Sequence, residues 1–408
     1  MGMELTRFEK IGNGPVRMLT FSQHGALPHG STFAAWNLGW QVIKIEPPGG
    51  ESGRYVGAVI EGENGSTKRV TTFFAPHNVN ILSMTGNLKH PKFRTEVLEP
   101  LIKVSNAITW NQRAGFGDRN KISYPHTKGL NPHCVTGSIT GWGELGPYAR
   151  RGAYAWLSAF ASGKAMLSGE PGEKPTRDAF PEDDYYTGIT LIAALAHLIM
   201  EGKGGHVDAS LFASAVFKGT YNLTRAHREN RISYVRRQPG AGHLSISAVR
   251  LYVCGDDRVL PIMPMNQGFW ERLCPAIGRL DLLQMQEYRT PEKRLQNRDS
   301  LERLLIDVFR TKTAAEWLEI LAQADVPSEI ARKPEEVPDH PQVVAERLFA
   351  QVETPVRPLY VPAPPCRING ERPHGGKVPD VGEHTDLILS EIGHSPRAIA
   401  ELHDQEVV

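Results

Sequence analysis

The chain has 408 residues, 40% hydrophobic and 22% charged, with 46 Lys plus Arg against 45 Asp plus Glu. That is a soluble globular balance with length for two or three domain-sized units. Near-neutrality excludes a global field that would draw in nucleic acid or an anionic membrane, so an anionic partner must be gripped by local Lys and Arg.

The N-terminus carries Glu4, Arg7, Glu9 and Lys10 without an apolar core, unlike a secretory signal. Arg17-Met18-Leu19-Thr20-Phe21 reads as a strand, Thr32 to Leu38 as a helix ending at Gly39, and Gln41-Val42-Ile43-Lys44-Ile45 as a second strand stopped by Pro47-Pro48-Gly49-Gly50. Strand, helix, strand at that spacing is a βαβ unit and implies a parallel sheet covered by helices. Thr95 to Lys103 suits a helix; Ala107 to Trp110 and Cys134 to Ile139 suit strands. No G-x-G-x-x-G opens the first helix, and Gly12 and Gly14 precede the first strand instead. NAD and FAD are therefore not expected.

Ile189 to Met200 is apolar but short and contains His197. A span needs about 20 apolar residues, so no membrane insertion is expected. Residues 221 to 245 are basic and loop-like. Short strands near Ser247–Cys254 and Val259–Met263, then helices carrying Trp270, Leu273 and Ile277, Leu301 to Val308, and Thr311 to Ala322, make a smaller α+β unit. Val337 to Pro373 is proline-rich and reads as an extended passage; helices follow over Thr385–Ile392 and Ala398–His403. Cys134, Cys254, Cys274 and Cys366 form no metal-ligand pair and read as reduced thiols of a cytoplasmic protein; no metal is expected.

Asp184 is the most informative single residue. It stands before the apolar run from Ile189, at a helix start, with Glu182 and Asp183 beside it. A helix start stabilises negative charge, whereas neighbouring carboxylates and an apolar wall raise the pKa. Two readings follow from local sequence: an N-cap with solvated acidic neighbours, or a nucleophile or acid/base group.

Seven segments in one order resemble the class III CoA-transferase family, which includes formyl-CoA:oxalate and carnitine CoA-transferases and acyl-CoA racemases. They are Val42 to Gly50, Trp110-Asn111-Gln112-Arg113-Ala114-Gly115, Ser138 to Tyr148, Leu167 to Pro171, Asp184-x-x-x-Gly188, Gly202 to Asp208, and Gly382-Glu383-His384-Thr385. The resemblance implies an α/β protein: a Rossmann-like parallel-sheet large domain over residues 1–220, a small α+β domain over 221–330, and a segment 331–408 returning to the large domain. It also implies an interlocked-ring homodimer.

The implied activity moves CoA from an acyl-CoA thioester to a carboxylic acid, with Asp184 as covalent carrier. Arg113 is the first candidate for a CoA phosphate contact, followed by Lys89, Arg54 and His24. Gly240-Ala241-Gly242 is a candidate oxyanion loop or a plain turn, with Gly240 and Gly242 assigned to the substrate pocket. Leu27-Pro28-His29 departs from the family's Ala-Gly-Pro. Ala153-Tyr154-Ala155 replaces the segment where racemases hold a second base, so Tyr154 is expected to line the acyl pocket with Trp142 and Tyr148 near it. Residues 55–80 do not follow the family pattern. An acyl-CoA racemase and a non-catalytic subunit of a heteromeric transferase remain as alternatives.

Overall fold

In the computed structural model, residues 14–62, 68–167, 174–175, 180–230 and 248–408 are described. The chain divides into two compact units. One draws on 1–166, 176–234 and 341–408; the other on 167–175 and 235–340.

The first unit is built on six parallel strands: β1 (Arg17–Phe21), β2 (Gln41–Glu46), β3 (Leu82–Thr85), β4 (Ala107–Trp110), β5 (Val135–Thr140) and β6 (Gly205–Ser210). Their spatial order is β3-β2-β1-β4-β5-β6. That is the doubly wound order of dinucleotide-binding sheets, in which ligands bind beyond the carboxyl ends of β1 and β4, where the connections diverge. The expected α/β class with a Rossmann-like parallel sheet is present. Every residue of β1, β2, β3, β4 and β5 is buried, because helices cover both faces. The outer strand β6 is mostly exposed or half-buried and carries His206 and Asp208.

The helix between β1 and β2 starts earlier than the sequence indicates. α1 runs over Ala26–Thr32 and continues as a wider π turn over Phe33–Asn37. Leu27, Pro28 and His29 are therefore helical and buried. α2 (Glu99–Lys103) precedes β4 and α3 (Ala155–Ala161) follows β5. α4 (Glu182–Met200) lies on β5 and α1, and α5 (Leu211–Lys218) follows β6. Gly137 in β5 leaves room for α4: a Cβ there would stand 3.1 Å from Leu195 and 3.2 Å from Leu191.

The passage after residue 341 is not uniformly extended. It forms a short helix (Pro341–Glu346) and a hairpin over Phe349–Val352 and Leu359–Pro362 before α9 (Thr385–Glu391) and α10 (Pro396–Asp404). Thr385 and His384 dock it on the sheet edge: Thr85 N–H donates to Thr385 Oγ1 (3.0 Å) and His384 N–H to Ser83 O (2.9 Å). Covering β3 in this way closes an edge that would otherwise pair with another chain.

Among the described residues the second unit has a hairpin, β7 (Arg250–Val253) with β8 (Val259–Ile262), a short helix over Pro291–Gln296, and the longer helices α6 (Gln267–Ala276), α7 (Arg298–Phe309) and α8 (Ala314–Gln323). Tyr252, Trp270, Phe309 and Trp317 lie in its core, and Thr313 with Glu316 forms a capping box at α8. Among the described residues no helix is long and apolar enough to cross a membrane.

Candidate active site

The site is the crevice at the carboxyl ends of β1 and β4. Two side chains of the Trp110–Gly115 motif stitch its walls together. Asn111 Oδ1 accepts the Gln23 N–H (2.9 Å) while its amide donates to the carbonyls of Gln23 (3.1 Å) and His24 (3.3 Å). Gln112 donates to Phe21 O (2.6 Å). The third support is Glu51, which accepts the His24 N–H (3.1 Å) and is held by the fully buried Lys44 (2.6 Å), itself bonded to Asn78 (2.8 Å). His24 Nδ1 meets Ser52 Oγ at 2.8 Å, and its ring stacks on Tyr154 with centroids 6.0 Å apart.

Gly25 makes the tight turn into α1. Its φ of +105° favours glycine, and a Cβ there would sit 3.6 Å from Asp184 Oδ1. The backbone thus brings the α1 N-terminus directly to the Asp184 carboxylate, which accepts the Ala26 N–H.

The acidic trio is separated by its partners. α4 begins at Glu182 after Pro181, so Asp184 lies inside the first turn and is not the N-cap. Glu182 bonds Lys218 (2.9 Å) and Lys164 (3.1 Å). Asp183, only 2% exposed, pairs with Lys218 at 3.1 Å and Lys164 at 3.7 Å. Among the described residues no cation pairs with Asp184. Burial raises its pKa, the Asp183 charge raises it further, and the Ala26 N–H opposes; the result is a pKa pushed up to about 7. Three adjacent carboxylates thereby acquire different chemistry, two as anchored counter-ions and one as a group poised near neutrality.

A cavity of about 980 Å³ opens over this crevice. Asp184, His24, Arg113 and Tyr154 lie on its wall together, with Gln23, Asn111 and Gln112, and with Val56, Phe73 and Leu157 as apolar lining. Arg113 and Arg151 are the cations of the wall. Among the described residues neither guanidinium meets a carboxylate; that of Arg151 rests 3.7 Å from the centre of the Tyr148 ring.

Trp142 stands behind the wall, its indole N–H donating to Gly152 O (3.3 Å) and its ring edge-on to Tyr148 at 5.5 Å. Lys89 is exposed in the turn after β3 and not on the wall.

Arg54 is not at the cavity. It is 6% exposed, and its guanidinium grips Glu46 with two bonds of 2.7 Å. Burial would raise the Glu46 pKa, but the Arg54 bond and the charges of Lys44 and Arg54 outweigh it and hold it at about 2. That charge-assisted pair leaves no fork for a phosphate. Gly240 and Gly242 lie outside the described residues.

Sequence reading missed Lys164, Lys218 and Arg151. The two lysines come from elements 18 and 36 residues away from Glu182, with no local spacing to reveal them. Arg151 lay beside the singled-out Tyr154.

The profile of CoA-transferase family III matches residues 15–385. The chain is 27% identical to human succinyl-CoA:glutarate CoA-transferase, over 93% of this chain and 86% of that protein. It is 28% identical to formyl-CoA:oxalate CoA-transferase of Rhodopseudomonas palustris (strain BisA53), over 95% of each, and 29% identical to an acyl-CoA transferase of Fusarium pseudograminearum, over 91% and 83%. In fold it is similar to a CAIB/BAIF family protein from Brucella suis, with a TM-score of 0.78 at 24% identity, covering 92% of this chain and 98% of that one.

Proposed function

The chain belongs to CoA-transferase family III and is an enzyme that transfers CoA, and from that premise we propose that Asp184 carries the acyl group between thioester and acid. The observation behind this reading is that Asp184 alone of three adjacent carboxylates lacks a cationic partner among the described residues and lines the crevice cavity.

The ionised carboxylate attacks the donor thioester carbonyl; the C–S bond breaks, CoA leaves as thiolate, and an acyl-aspartyl anhydride remains. Thiolate then attacks the Asp184 carboxyl carbon and expels the donor acid, leaving an aspartyl-CoA thioester. The acceptor carboxylate attacks that carbon and releases thiolate again. Thiolate finally takes the acceptor acyl group and frees Asp184. Carboxylate and thiolate are each nucleophile and leaving group in turn, so thioester reactivity is conserved without ATP.

Arg113, an exposed cation on the cavity wall, suits a CoA phosphate. Arg113→Ala is expected to raise KM for the thioester by about tenfold with kcat little changed, because a phosphate contact remote from the reacting carbon is the same in ground and transition states. Steady-state kinetics at varied donor concentration checks this.

The exposed Leu157 and Phe160 of α3, with Val216 and Phe217 of α5, support a homodimer that covers them.

Purified protein given succinyl-CoA or formyl-CoA with glutarate or oxalate should form the acceptor's CoA thioester on its own. Transfer only after adding a second, related chain would assign it a subunit role instead.

The reaction needs the ionised carboxylate, so kcat/KM should rise about tenfold per pH unit below 7 and level off above it. A pH–rate profile that is flat from 5 to 8 would contradict this.

A further inference from the structure

Two consecutive side chains of the first α4 turn face the same helix. Asp184 takes the N–H of Ala26, and Tyr185 lies flat on the imidazole of His29, with centroids 3.8 Å apart and planes 9° from parallel. Ala26 and His29 are three residues apart on α1, hence on one face. A third ring closes the group. His77 stands edge-on to His29 at 4.0 Å, and its Nε2 lies 2.8 Å from the Tyr185 hydroxyl.

The proton positions follow from the partners. His77 Nδ1 is 2.6 Å from the Phe73 carbonyl, which can only accept, so Nδ1 carries the proton and Nε2 accepts from Tyr185 O–H. Among the described residues neither buried ring nitrogen of His29 has a hydrogen-bond partner, so its contribution is the face and edge of the ring. Phe73 is itself part of the cavity wall, which ties the cluster to the substrate side.

All three rings are neutral at pH 7. Burial pushes the His29 pKa well below its usual range, with His77 adding to the effect. Burial also lowers that of His77 to about 4, with the Phe73 carbonyl opposing and Lys44 adding. A cation in this place would draw the Asp184 pKa down and move the rise of kcat/KM to lower pH.

The first turn of α4 needs such support. Its N-cap is Pro181, whose side chain makes no capping hydrogen bond, so side-chain contacts elsewhere reinforce the backbone bonds from the Asp184 and Tyr185 N–H groups to Pro181 O. Lys164 and Lys218 hold it through Glu182 and Asp183, and the three rings hold it through Tyr185. His77 and Phe73 both come from residues 55–80, the stretch that departs from the family pattern.

We infer that Tyr185, His29 and His77 are positioning residues: they tether the first turn of α4 to α1 and so set the direction from which the Asp184 carboxylate meets the thioester. The inference rests on Asp184 being the acyl carrier, as proposed above.

The test is a mutant cycle on the Tyr185–His77 bond, read as kcat and KM separately. Tyr185→Phe keeps the stack and removes the hydroxyl, and is expected to lower kcat about tenfold with KM for the thioester within about twofold. His77→Phe should match it, and the double variant should fall no further than either single, because both remove one shared bond. Tyr185→Ala, which also removes the stack, should lower kcat about a hundredfold; thermal unfolding tells misfolding from misplacement, and the Phe variants carry the test if it does not fold.

Full kcat in both Phe variants would overturn the inference. So would a rise in KM at constant kcat, or a double variant whose loss is the product of the single losses. Asp184→Asn in the same assay separates the two claims. If it is inactive while Tyr185→Phe keeps full rate, the tether alone is wrong; if it is fully active, the acyl-carrier reading has failed.

Discussion

Asp184→Asn is expected to lower CoA transfer by about four orders of magnitude or more while leaving the fold intact, since removing a covalent nucleophile removes the route and not merely a contact. The carboxamide is isosteric and still accepts the Ala26 N–H, but cannot form the anhydride. Asp184→Glu should also fail, by about a hundredfold, because an added methylene carries the carboxylate past its attack position.

The same substitution has a consequence for stability whose sign is fixed. The pKa of Asp184 is raised from 3.8 to about 7 by folding, so the folded protein binds this proton more tightly than the unfolded chain. Stability from this group is full below pH 4 and is lost as pH rises from about 4 to 7. Asp184→Asn should therefore have a higher Tm than the parent at pH 8, with the gain disappearing near pH 4. Thermal unfolding at the two pH values checks this. A stabilised but inactive variant is what a group held against its solvation preference for the sake of chemistry would give.

The second large effect concerns the crossing of α1 and α4. Gly30 and Gly188 let the two backbones touch: a Cβ on Gly188 would overlap the Ala26 carbonyl and lie 2.8 Å from Gly30 N, and one on Gly30 would overlap the Gly188 carbonyl. Backbone atoms cannot rotate away as a side-chain tip can. Gly188→Ala is expected to force the helices apart and destabilise the protein by about 3 kcal/mol, the upper range for an overpacked core. It should also reduce transfer by about a hundredfold, because Ala26 and Asp184 are held in register by this crossing. Unfolding in urea and activity of the folded fraction separate the two effects. Native stability with full activity would show that the crossing does not set the carboxylate.

Much of this was legible in the chain. Arg17–Phe21, Gln41–Ile45, Ala107–Trp110 and Cys134–Ile139 read as strands because each carries a short run of β-branched and apolar residues, as buried parallel strands do. Asp184 stood out through its acidic neighbours and the apolar run behind it. β3 did not, since Ser83 and Thr85 are buried only because Glu46 and Thr385 bond them, and Thr385 is 300 residues away. β6 was hidden by His206 and Asp208, which an outer strand can expose. α1 was read six residues late because Gly30 and Pro28 look like breakers. Pro28 lies in the first turn, where its missing N–H costs nothing, and Gly30 is required by the approach of α4.

Site residues divided in the same way. Arg113 was nominated from its motif, His24 from the loop after the first strand and Tyr154 from a departure from the family pattern, and one cavity wall holds all three with Asp184. Arg54 was nominated as a free cation, yet its carboxylate partner Glu46 sits eight residues earlier at the end of β2. Charge pairs across a strand end have no fixed spacing, unlike those on a helix face. The lysines that neutralise Glu182 and Asp183, and so leave Asp184 distinct, were invisible for the same reason.

The most direct test of the acyl-carrier claim is to incubate the protein with an acyl-CoA donor, quench in acid, digest, and weigh the peptide containing Asp184. The account predicts an added acyl or CoA mass on that peptide, trapped as hydroxamate by hydroxylamine and absent in Asp184→Asn. Turnover of the donor with an unmodified Asp184 peptide, and an adduct on another residue, would contradict it.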